Sequence, residues 1–231
     1  MMPPTRNILI FAAHPDDAEV CVGGSICRYV EQGHRVHVVN MTNNHGPRVA
    51  CAQRASELLG FTFEFLDFED VGQRGLEDPG SHLGIRFDPA HLAVVDATLR
   101  ARRPDLVWAH WPVDTHPDHV AAGSLVLRAC DTIRLGGQWN PELWFFGPAF
   151  GYQSICFRPD HYEDVTPYVG RKKQAVGEYE IVNIWESYPL EETAMKFHGY
   201  ASGYPYAEAF TKCHFRIGAA RYTVVGEGRD G

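Results

Sequence analysis

Short apolar segments alternate with helical segments along roughly the first 135 residues, and this alternation limits the possible folds more than any other feature of the sequence. Residues 7–13 form an apolar run, residues 25–32 have helical character, and residues 36–41 are again apolar and β-branched. Further helices are predicted at 49–59, 89–102 and 120–133, and further strands at 61–66 and 106–111. Strands separated by helices of this length predict a mostly parallel sheet with helices on both faces, a doubly wound, Rossmann-like α/β fold.

The length and composition of the chain fit one domain. Its 231 residues are 45% hydrophobic and 22% charged, a balance that suits a globular protein with a sizeable core. We expect a single domain over residues 1–231, with a core at about 7–135 and a C-terminal part at about 136–231 that completes the cleft. In that C-terminal part the aromatic residues 143–146 are compatible with a strand, and residues 171–185 predict a helix.

Charge and cysteine usage argue against several classes of protein. The net charge is −8 and the longest basic run is 171–173, so neither nucleic acid nor an anionic membrane surface is an expected partner. The apolar run before His14 is too short for a signal segment or a membrane span, which predicts a cytoplasmic protein. The six cysteines are scattered without a Cys-x-x-Cys pair, so any metal must be held by histidine and carboxylate.

Two motifs place histidines and aspartates just after predicted strands. Ala-His-Pro-Asp-Asp at 13–17 follows the first strand, and His-Pro-Asp-His at 116–119 follows the strand at 106–111. Because the carboxyl ends of parallel strands lie at one edge of a sheet, both motifs are expected at the same rim. Either motif alone is compatible with helix capping, by an aspartate of the first or by Thr115 with Asp118 in the second. Two such turns at one edge of the sheet favour a catalytic or metal-binding role over helix capping, because capping does not require histidine.

The residue types of the two motifs indicate a metal-dependent hydrolase. A catalytic zinc takes three nitrogen or oxygen ligands from the protein and keeps one position for water. His14, one of the two aspartates and His119 supply such a set. A carboxylate outside that set can accept a proton from the water, and a further imidazole can protonate or stabilise the leaving group. Asp16 and His116 are the candidates for these two roles.

With these two motifs about a hundred residues apart, the chain resembles the PIG-L (LmbE-like) family of zinc-dependent N-acetylglucosamine deacetylases. That family includes deacetylases of the bacillithiol and mycothiol pathways. The resemblance extends to glycines 23 and 24, to Arg48 and to residues 206–210, and so covers about residues 7–212. It implies one bound Zn²⁺, or another divalent metal, and a small amino-sugar substrate from which water removes an acetyl group. Family members often form oligomers, so the resemblance also allows a homo-oligomer.

The resemblance assigns a role to each matching residue of the two motifs. Three residues match the metal ligands of the family: His14, Asp17 and His119. Asp16 matches the general base, and His116 matches the acid or electrostatic partner. Asp118, which is not among these ligands, would orient the His116 ring. Whether Asp16 or His116 protonates the leaving amine stays open.

Three further residues match the substrate-binding part of the family pattern. Arg48 resembles the arginine that contacts the sugar or its charged aglycone, although an arginine at a helix start is also compatible with a surface position. Family members use a tyrosine to hold the oxyanion, and Tyr188 and Tyr206 are both candidates. The identity of the aglycone stays open.

Other functions are compatible with parts of the pattern. The same site could cleave the amide of a thiol conjugate or of another acylated amine. A non-catalytic sugar- or nucleotide-binding module is disfavoured, because neither a Gly-x-Gly-x-x-Gly sequence nor a P-loop follows the first strand. A metal phosphoesterase is disfavoured as well, because the ligands suffice for one ion and no basic cluster awaits a phosphate.

Overall fold

A computed structural model describes residues 4–42, 46–78, 83–137, 139–147, 156–180 and 184–214. The strands are β1 (Asn7–Ala12), β2 (Arg35–Thr42), β3 (Thr62–Phe68), β4 (Leu106–His110), β5 (Glu142–Phe146), β6 (His161–Asp164) and β7 (Ala207–Lys212). The helices are α1 (Asp17–Glu31), α2 (Pro47–Leu59), α3 (Gly72–Glu77), α4 (Pro89–Arg102), α5 (Pro117–Leu135), α6 (Val169–Gly177) and α7 (Ile184–Ser202). No helix in these ranges is long and apolar enough to cross a membrane.

All seven strands belong to one sheet in the order β3-β2-β1-β4-β5-β7-β6. The first five strands in this order are parallel, whereas β7 runs antiparallel to both β5 and β6. The chain builds outward from β1 to β3 on one side and from β4 to β5 on the other. The order therefore reverses between β1 and β4, and ligands of doubly wound proteins bind at the carboxyl ends of the strands at such a point. The predicted fold class is confirmed.

Strand β1 is buried on both faces and divides the core into two layers. Ile8, Ile10 and Ala12 pack with apolar residues of α1, α2, α6 and α7 on one face. Leu9 and Phe11 pack with residues of α4 and α5 on the other. A strand covered on both sides carries a continuous apolar run, which is why residues 7–13 lack alternation.

The structure corrects several predicted boundaries. Helix α1 begins at Asp17 rather than at residue 25, because the first motif leads directly into it. The helix predicted at 171–185 is two helices, since α6 ends at Gly177 and α7 begins at Ile184. Strand β6 was not predicted, because its four residues His-Tyr-Glu-Asp lack an apolar pattern.

A buried lysine connects the C-terminal elements to α1. The Lys172 ammonium lies 2.9 Å from Glu191 Oε1 and 2.8 Å from Glu208 Oε1. Glu208 also accepts hydrogen bonds from the backbone N–H groups of Gly24 at 2.9 Å and Ser25 at 2.7 Å. Although burial opposes the charge, these two carboxylates raise the pKa of Lys172 above its usual range. Helices α1, α6 and α7 and strand β7 are thus held at one buried ion cluster.

Candidate active site

The first motif forms a tight turn between β1 and α1. The His14 N–H donates to Asp17 Oδ2 at 2.7 Å, and the Asp17 N–H donates to the His14 carbonyl at 3.3 Å. Asp16 lies at the helix start with a φ of 132°, in a region that favours glycine, and its side chain makes no capping bond. Strained backbone of this kind concentrates at functional sites. The turn holds the Asp16 and Asp17 side chains at the sheet edge, and capping does not explain either aspartate.

The second motif forms the start of α5. His116 is the capping residue, and its Nδ1 accepts a hydrogen bond from the Asp118 N–H at 3.3 Å. The cap is therefore an imidazole, and not Thr115 as in the capping alternative. Just before the motif, the buried Asp114 carboxylate accepts a bond from the His116 N–H at 2.9 Å and contacts His119 Nδ1 at 2.9 Å. The loop from β4 to α5 thereby fixes the His119 ring.

The two motifs meet around the Asp17 carboxylate. Asp17 Oδ2 lies 3.4 Å from His14 Nδ1, and Asp17 Oδ1 lies 3.5 Å from His119 Nε2. The His116 ring lies 4.9 Å from the His14 ring and 4.5 Å from the His119 ring, between centroids. All four side chains come to the rim between β1 and β4, as the sequence predicts.

His14 and His119, two of the imidazoles beside Asp17, are each held by a second carboxylate. His14 Nε2 lies 3.0 Å from Asp118 Oδ2, and His119 Nδ1 lies 2.9 Å from Asp114 Oδ2. The opposite nitrogen of each ring therefore faces Asp17. A carboxylate behind a histidine is the usual way in which proteins fix the ring of a metal ligand. Two nitrogens and one carboxylate converge here, a donor set that suits a divalent transition metal.

The expected role of Asp118 needs correction. Its carboxylate contacts His14 and not His116, which it meets only through its backbone N–H. The backbone N–H groups of Val71 at 3.0 Å and Ile85 at 2.7 Å complete the hydrogen bonds to this carboxylate. Asp118 is fully buried. Its hydrogen bonds link the first motif, the second motif and the segments before and after α3.

A fourth histidine of the cluster, His110 at the end of β4, was not predicted. It is 1% exposed, and its ring stacks on His119 with centroids 4.2 Å apart. Its Nε2 accepts a hydrogen bond from the Ala13 N–H at 3.1 Å and lies 3.2 Å from Asp17 Oδ2. His110 and Asp114 both lie outside the two motifs. The only sequence signal for them is their position between the end of a predicted strand and the second motif.

Among the residues that the structure describes, three overlapping groups of side chains are close enough to hold an ion. They are His14 with His116 and His119, Asp17 with His110 and His119, and His14 with Asp70 and Asp118. Within each group the ligand atoms lie within 4.8 Å of one another. The set expected from the sequence, His14, Asp17 and His119, is not itself one of these groups; His14 and His119 belong to the first, and Asp17 and His119 to the second.

Opposite charges dominate the electrostatics of the site. Burial opposes the charge on His14, but hydrogen bonds to Asp118 and Asp17 outweigh it and raise the pKa of His14 well above its usual range. Asp17 and Asp114 likewise outweigh burial and raise the pKa of His119 to about 9. Burial raises the pKa of Asp17, but the charges of His119 and His110 lower it well below the usual range. Positive charge thus stabilises the carboxylates of the site. Protons on His14 and His119 supply that charge here, and a bound dication can replace them.

Asp16 and His116 are among the groups of the site whose uncharged forms are favoured, as is His110, whose pKa is lowered by burial and by the charge of His119. Burial, together with the negative charge of Asp17, raises the pKa of Asp16 to about 8. Arg48 opposes this rise, so its guanidinium lies near enough to Asp16 to act on it. Burial and the charges of His119 and His14 lower the pKa of His116 to about 4. Pairs of groups whose pKa values are pushed apart are typical of acid and base roles.

Neither tyrosine expected at the oxyanion lies in this cluster. Tyr188 is 2% exposed within the core and directs its hydroxyl to the Val169 carbonyl at 3.5 Å. Tyr206 lies beside the exposed ion pair of Lys196 and Glu192 on α7, with the Lys196 ammonium 5.6 Å from its ring. The sequence places both tyrosines in the C-terminal half of the chain but gives no information about the direction of their side chains.

Comparisons with known proteins place this geometry in a family. The family described as PIG-L: GlcNAc-PI de-N-acetylase matches residues 9–130, more than half of the chain and the part that contains both motifs. The chain is 28% identical over 191 residues to a probable N-acetyl-alpha-D-glucosaminyl L-malate deacetylase 2 of Bacillus anthracis, covering 76% of this chain and 80% of that one. It is 25% identical over 231 aligned residues to the diacetylchitobiose deacetylase of Thermococcus kodakarensis, covering 88% and 81%.

A further relative matches over a shorter stretch. The 1D-myo-inositol 2-acetamido-2-deoxy-alpha-D-glucopyranoside deacetylase of Geodermatophilus obscurus is 27% identical over 177 residues, or 60% of either chain. The matched part thus spans about three fifths of that relative's own length.

Solved structures show the same fold at lower identity. The 4-carboxy-2-hydroxymuconate hydratase GalB of Pseudomonas putida superimposes with a TM-score of 0.74 at 22% identity, covering 93% of this chain and 98% of that one. The N,N'-diacetylchitobiose deacetylase of Pyrococcus horikoshii gives 0.71 at 21% identity, covering 90% and 84%. These neighbours include a hydratase as well as a deacetylase, so they speak for the fold alone. The family match and the clustered motifs together show that the chain belongs to the PIG-L (GlcNAc-PI de-N-acetylase) family.

Proposed function

We propose that this protein is a zinc-dependent deacetylase that hydrolyses the acetamide of an N-acetylglucosamine-type substrate. The observation that carries the proposal is the arrangement around Asp17. One nitrogen each of His14 and His119 is left facing that carboxylate, because their other nitrogens are bound to Asp118 and Asp114. The buried Asp16 carboxyl belongs to the same turn.

The residues proposed as zinc ligands are His14 through Nδ1, Asp17 through its carboxylate and His119 through Nε2. Three N and O ligands are typical of a catalytic zinc, which leaves a position for water. When bound, the ion would polarise the amide carbonyl and lower the pKa of water. The chemistry of the donor set fits zinc and also other divalent transition metals.

Asp16 is proposed as the general base. Its carboxylate would accept a proton from the attacking water while the water oxygen bonds to the acetyl carbon. The carbon–nitrogen bond then breaks, the amine takes up a proton, and acetate leaves. Without metal, burial and the negative charge of Asp17 raise the pKa of Asp16 to about 8. A dication nearby would lower this value and favour the carboxylate form near neutral pH.

His116 is proposed to stabilise the developing oxyanion and to assist protonation of the amine. The Asp118 N–H donates to its Nδ1, so a neutral ring carries its proton on Nε2 and can donate a hydrogen bond. With both candidate tyrosines elsewhere, His116 is the side chain of the cluster that remains for this task. Asp16 is the alternative proton donor to the amine.

The amino-sugar substrate is proposed from the relatives, whose names specify N-acetylglucosaminyl or diacetylchitobiose substrates. Arg48 is proposed to contact the sugar or its substituent, since its charge acts on Asp16 from the start of α2. Another acylated amine, including a thiol conjugate, is the alternative substrate. A panel of amides with different amine parts would separate these substrates by rate.

A cytoplasmic location is also proposed. All six cysteines are free thiols, and four of them are buried, which suits a reducing compartment. Fractionation of the source cells with activity as the marker tests this location, and size-exclusion chromatography with light scattering tests for a homo-oligomer.

The decisive experiment combines metal analysis with an acetate assay. Purified protein is analysed for metal content, and acetate release from N-acetylglucosamine glycosides is measured before and after chelation. About one zinc per chain with chelator-sensitive release supports the proposal. Bound metal without acetate release would redirect the search to other amides, and a protein that binds no divalent metal would refute the proposal.

A further inference from the structure

The first turn of α1 carries a further buried carboxyl group that the proposed mechanism does not use. Glu19 is 2% exposed and follows Asp17 by two residues. Its Oε1 accepts a hydrogen bond from the Tyr179 hydroxyl at 2.8 Å. Its Oε2 is buried as well, and no group of the described structure donates a hydrogen bond to it. Burial of a carboxyl group is costly unless hydrogen bonds compensate, so the bond from Tyr179 is needed to keep Glu19 in this position.

Tyr179 reaches Glu19 from the C-terminal part of the chain. It lies two residues after the end of α6 and has no exposed surface. Helix α6 packs on both α1 and α2. The neighbouring Glu178 accepts a hydrogen bond from the Arg54 side chain of α2 at 2.5 Å. The contact between Glu19 and Tyr179 therefore lies where α1, α2 and the end of α6 meet.

Sequence spacing and electrostatics both place this contact next to the proposed base. Asp16 and Glu19 are three residues apart at the start of a helix, a spacing that brings two side chains to the same face. Burial and the charge of Asp17 raise the pKa of Asp16, and the charge of Glu19 adds to this rise. Burial likewise raises the pKa of Tyr179 above its usual range, with contributions from Glu19 and Asp16. The three side chains are therefore neighbours.

Asp16 needs support from its surroundings because its backbone is strained. Its φ of 132° lies in a region that favours glycine, and such a conformation persists only where the rest of the structure fixes it. Hydrogen bonds between His14 and Asp17 close the turn from within. The bond from Tyr179 to Glu19 attaches the first turn of α1 to a separate element. Asp16 thus lies between two sets of hydrogen bonds, one before it and one after it.

Tyr179 is not available as the oxyanion donor, a role for which Tyr188 and Tyr206 are also misdirected. A tyrosine has one hydroxyl proton, and Tyr179 donates its proton to Glu19. The side chain has no exposed surface that a substrate could meet. Tyr179 can therefore affect the reaction only through the groups that it positions.

We infer that the hydrogen bond between Glu19 and Tyr179 is a positioning device, which holds the Asp16 carboxylate in the orientation needed to accept a proton from water. This role rests on the proposed deacetylase function and adds two positioning residues from outside the two motifs. Loss of the bond should reduce turnover and leave metal binding intact, because Asp17 has its own contacts with His14 and His119.

Tyr179→Phe removes only the hydroxyl, and its effect is measured in the zinc-loaded full-length protein. A misplacement of about 1 Å can cost about 10²-fold in rate, so kcat for the methyl glycoside of N-acetylglucosamine should fall by at least about tenfold, with KM and metal content near wild type. Tyr29→Phe is the matched control, because Tyr29 also lies on α1 and donates to a buried carboxylate, that of Glu163, at 2.8 Å. It should leave kcat unchanged. Equal kcat values for the two variants would overturn the positioning role.

Two further comparisons separate the positioning of Asp16 from a general loss of stability. In an Asp16→Asn background the base is absent, so an added Tyr179→Phe should lower the remaining kcat by a smaller factor than in wild type. The same factor in both backgrounds would show that Tyr179 does not act through Asp16. Glu19→Gln keeps an oxygen that can accept from the hydroxyl, and should lose less kcat than Glu19→Leu. Equal losses in these two variants would contradict a role for the hydrogen bond.

Hydrogen exchange separates failure of this role from failure of the proposed function, because it needs no turnover. Exchange of the backbone amides at residues 14–20 should be about tenfold faster in Tyr179→Phe and unchanged in Tyr29→Phe. Faster exchange in a protein whose wild type releases no acetate would leave the support of the turn standing and refute the deacetylase proposal. Acetate release by wild type, with exchange and kcat both unchanged in Tyr179→Phe, would refute the positioning role and leave the deacetylase proposal standing.

Discussion

At the scale of single residues, the site depends on which nitrogen of each imidazole remains free. Asp118 binds His14 at Nε2 and Asp114 binds His119 at Nδ1, so different ring nitrogens face the same Asp17 carboxylate. Residue type alone does not specify this choice. It follows from the carboxylate behind each ring, and those carboxylates are as necessary to the geometry as the imidazoles themselves.

Metal binding should release protons. Without metal the pKa of His119 is about 9 and that of His14 is well above its usual range, so both rings are protonated at pH 7. A metal binds only the neutral rings and favours the Asp16 carboxylate, whose pKa is about 8 without metal, so about three protons should leave per ion at pH 7. The affinity should therefore rise as the pH increases towards about 9, as competing protons are lost. Calorimetric titration with Zn²⁺ in buffers of different ionisation enthalpy measures the release; binding without proton release would contradict the ligand assignment.

Asp16 should be required for turnover but not for metal. Asp16→Asn keeps the shape of the side chain and removes the base, so kcat should fall by about 10²–10⁴-fold while metal content stays near wild type. His119→Ala should instead lose most of the metal. Asp131→Asn, in a surface pair with Arg134 on α5, is the control and should change neither property. Equal loss of metal in the Asp16 and His119 variants would show that Asp16 is a ligand.

The sequence predicts the residues of the two motifs better than it predicts the side chains that contact and orient them. Both motifs follow strands, and the edge of a parallel sheet brings such residues together, so the histidines and aspartates were correctly expected at one rim. His110 and Asp114 were missed because neither stands in a recognisable motif. The sequence left Tyr188 and Tyr206 as alternatives for the oxyanion, because it does not give the direction of a side chain whose neighbours come from distant parts of the chain.

At the scale of elements, the site requires close contact between α5 and β4. Gly123 on α5 lies against the end of β4, and a Cβ at this position would overlap the carbonyl oxygen of His110. Only glycine allows this approach. Because α5 carries His119 and β4 carries His110, the contact also sets the distance between the two stacked rings.

Gly123→Ala should therefore destabilise the protein and weaken metal binding. Overpacking against fixed backbone costs about 1–3 kcal/mol, and the rings should move apart as α5 shifts. Gly170→Ala on α6 is the matched control, because a Cβ there meets no atom of the described structure within 4 Å. This control should be neutral or slightly stabilising. Urea denaturation with zinc titration of both variants checks the prediction, and equal behaviour of the two alanines would contradict it.

Prediction of the elements succeeded where local pattern and tertiary environment agree. Helix α4 was predicted with its observed bounds, since Pro89 and the stop before Pro104 mark its ends. The pattern of residues 171–185 did not indicate that α6 ends at Gly177 and that α7 begins at Ile184. Strand β7 pairs with β5 and with β6 over long sequence separations, so the formation of β6 and β7 depends on contacts that no local window contains.

At the scale of the whole molecule, the buried ion cluster determines how the C-terminal third attaches. Lys172 has no exposed surface, and both of its carboxylate partners come from other elements. Removal of one member of such a cluster leaves uncompensated charges in the interior. The cluster therefore links folding of the C-terminal elements to that of α1, which begins at the active site.

Lys172→Met should destabilise the protein by about 3–5 kcal/mol, because Glu191 and Glu208 would stay buried without their cation. The free energy of unfolding, measured with urea, checks this value. Lys196→Met removes a lysine of an exposed pair with Glu192 on α7 and should have little effect. A comparable loss in both variants would mean that the buried cluster contributes no more than a surface ion pair.

The proposed metal ligands follow β1 or lie near the starts of α1 and α5, whereas α6, α7, β6 and β7 belong to the C-terminal third of the chain. The buried Lys172 cluster joins these two stretches. A substitution at that cluster would therefore act on the reacting groups from a distance, and activity lost in such a variant would report a displaced α1 rather than a missing catalytic side chain.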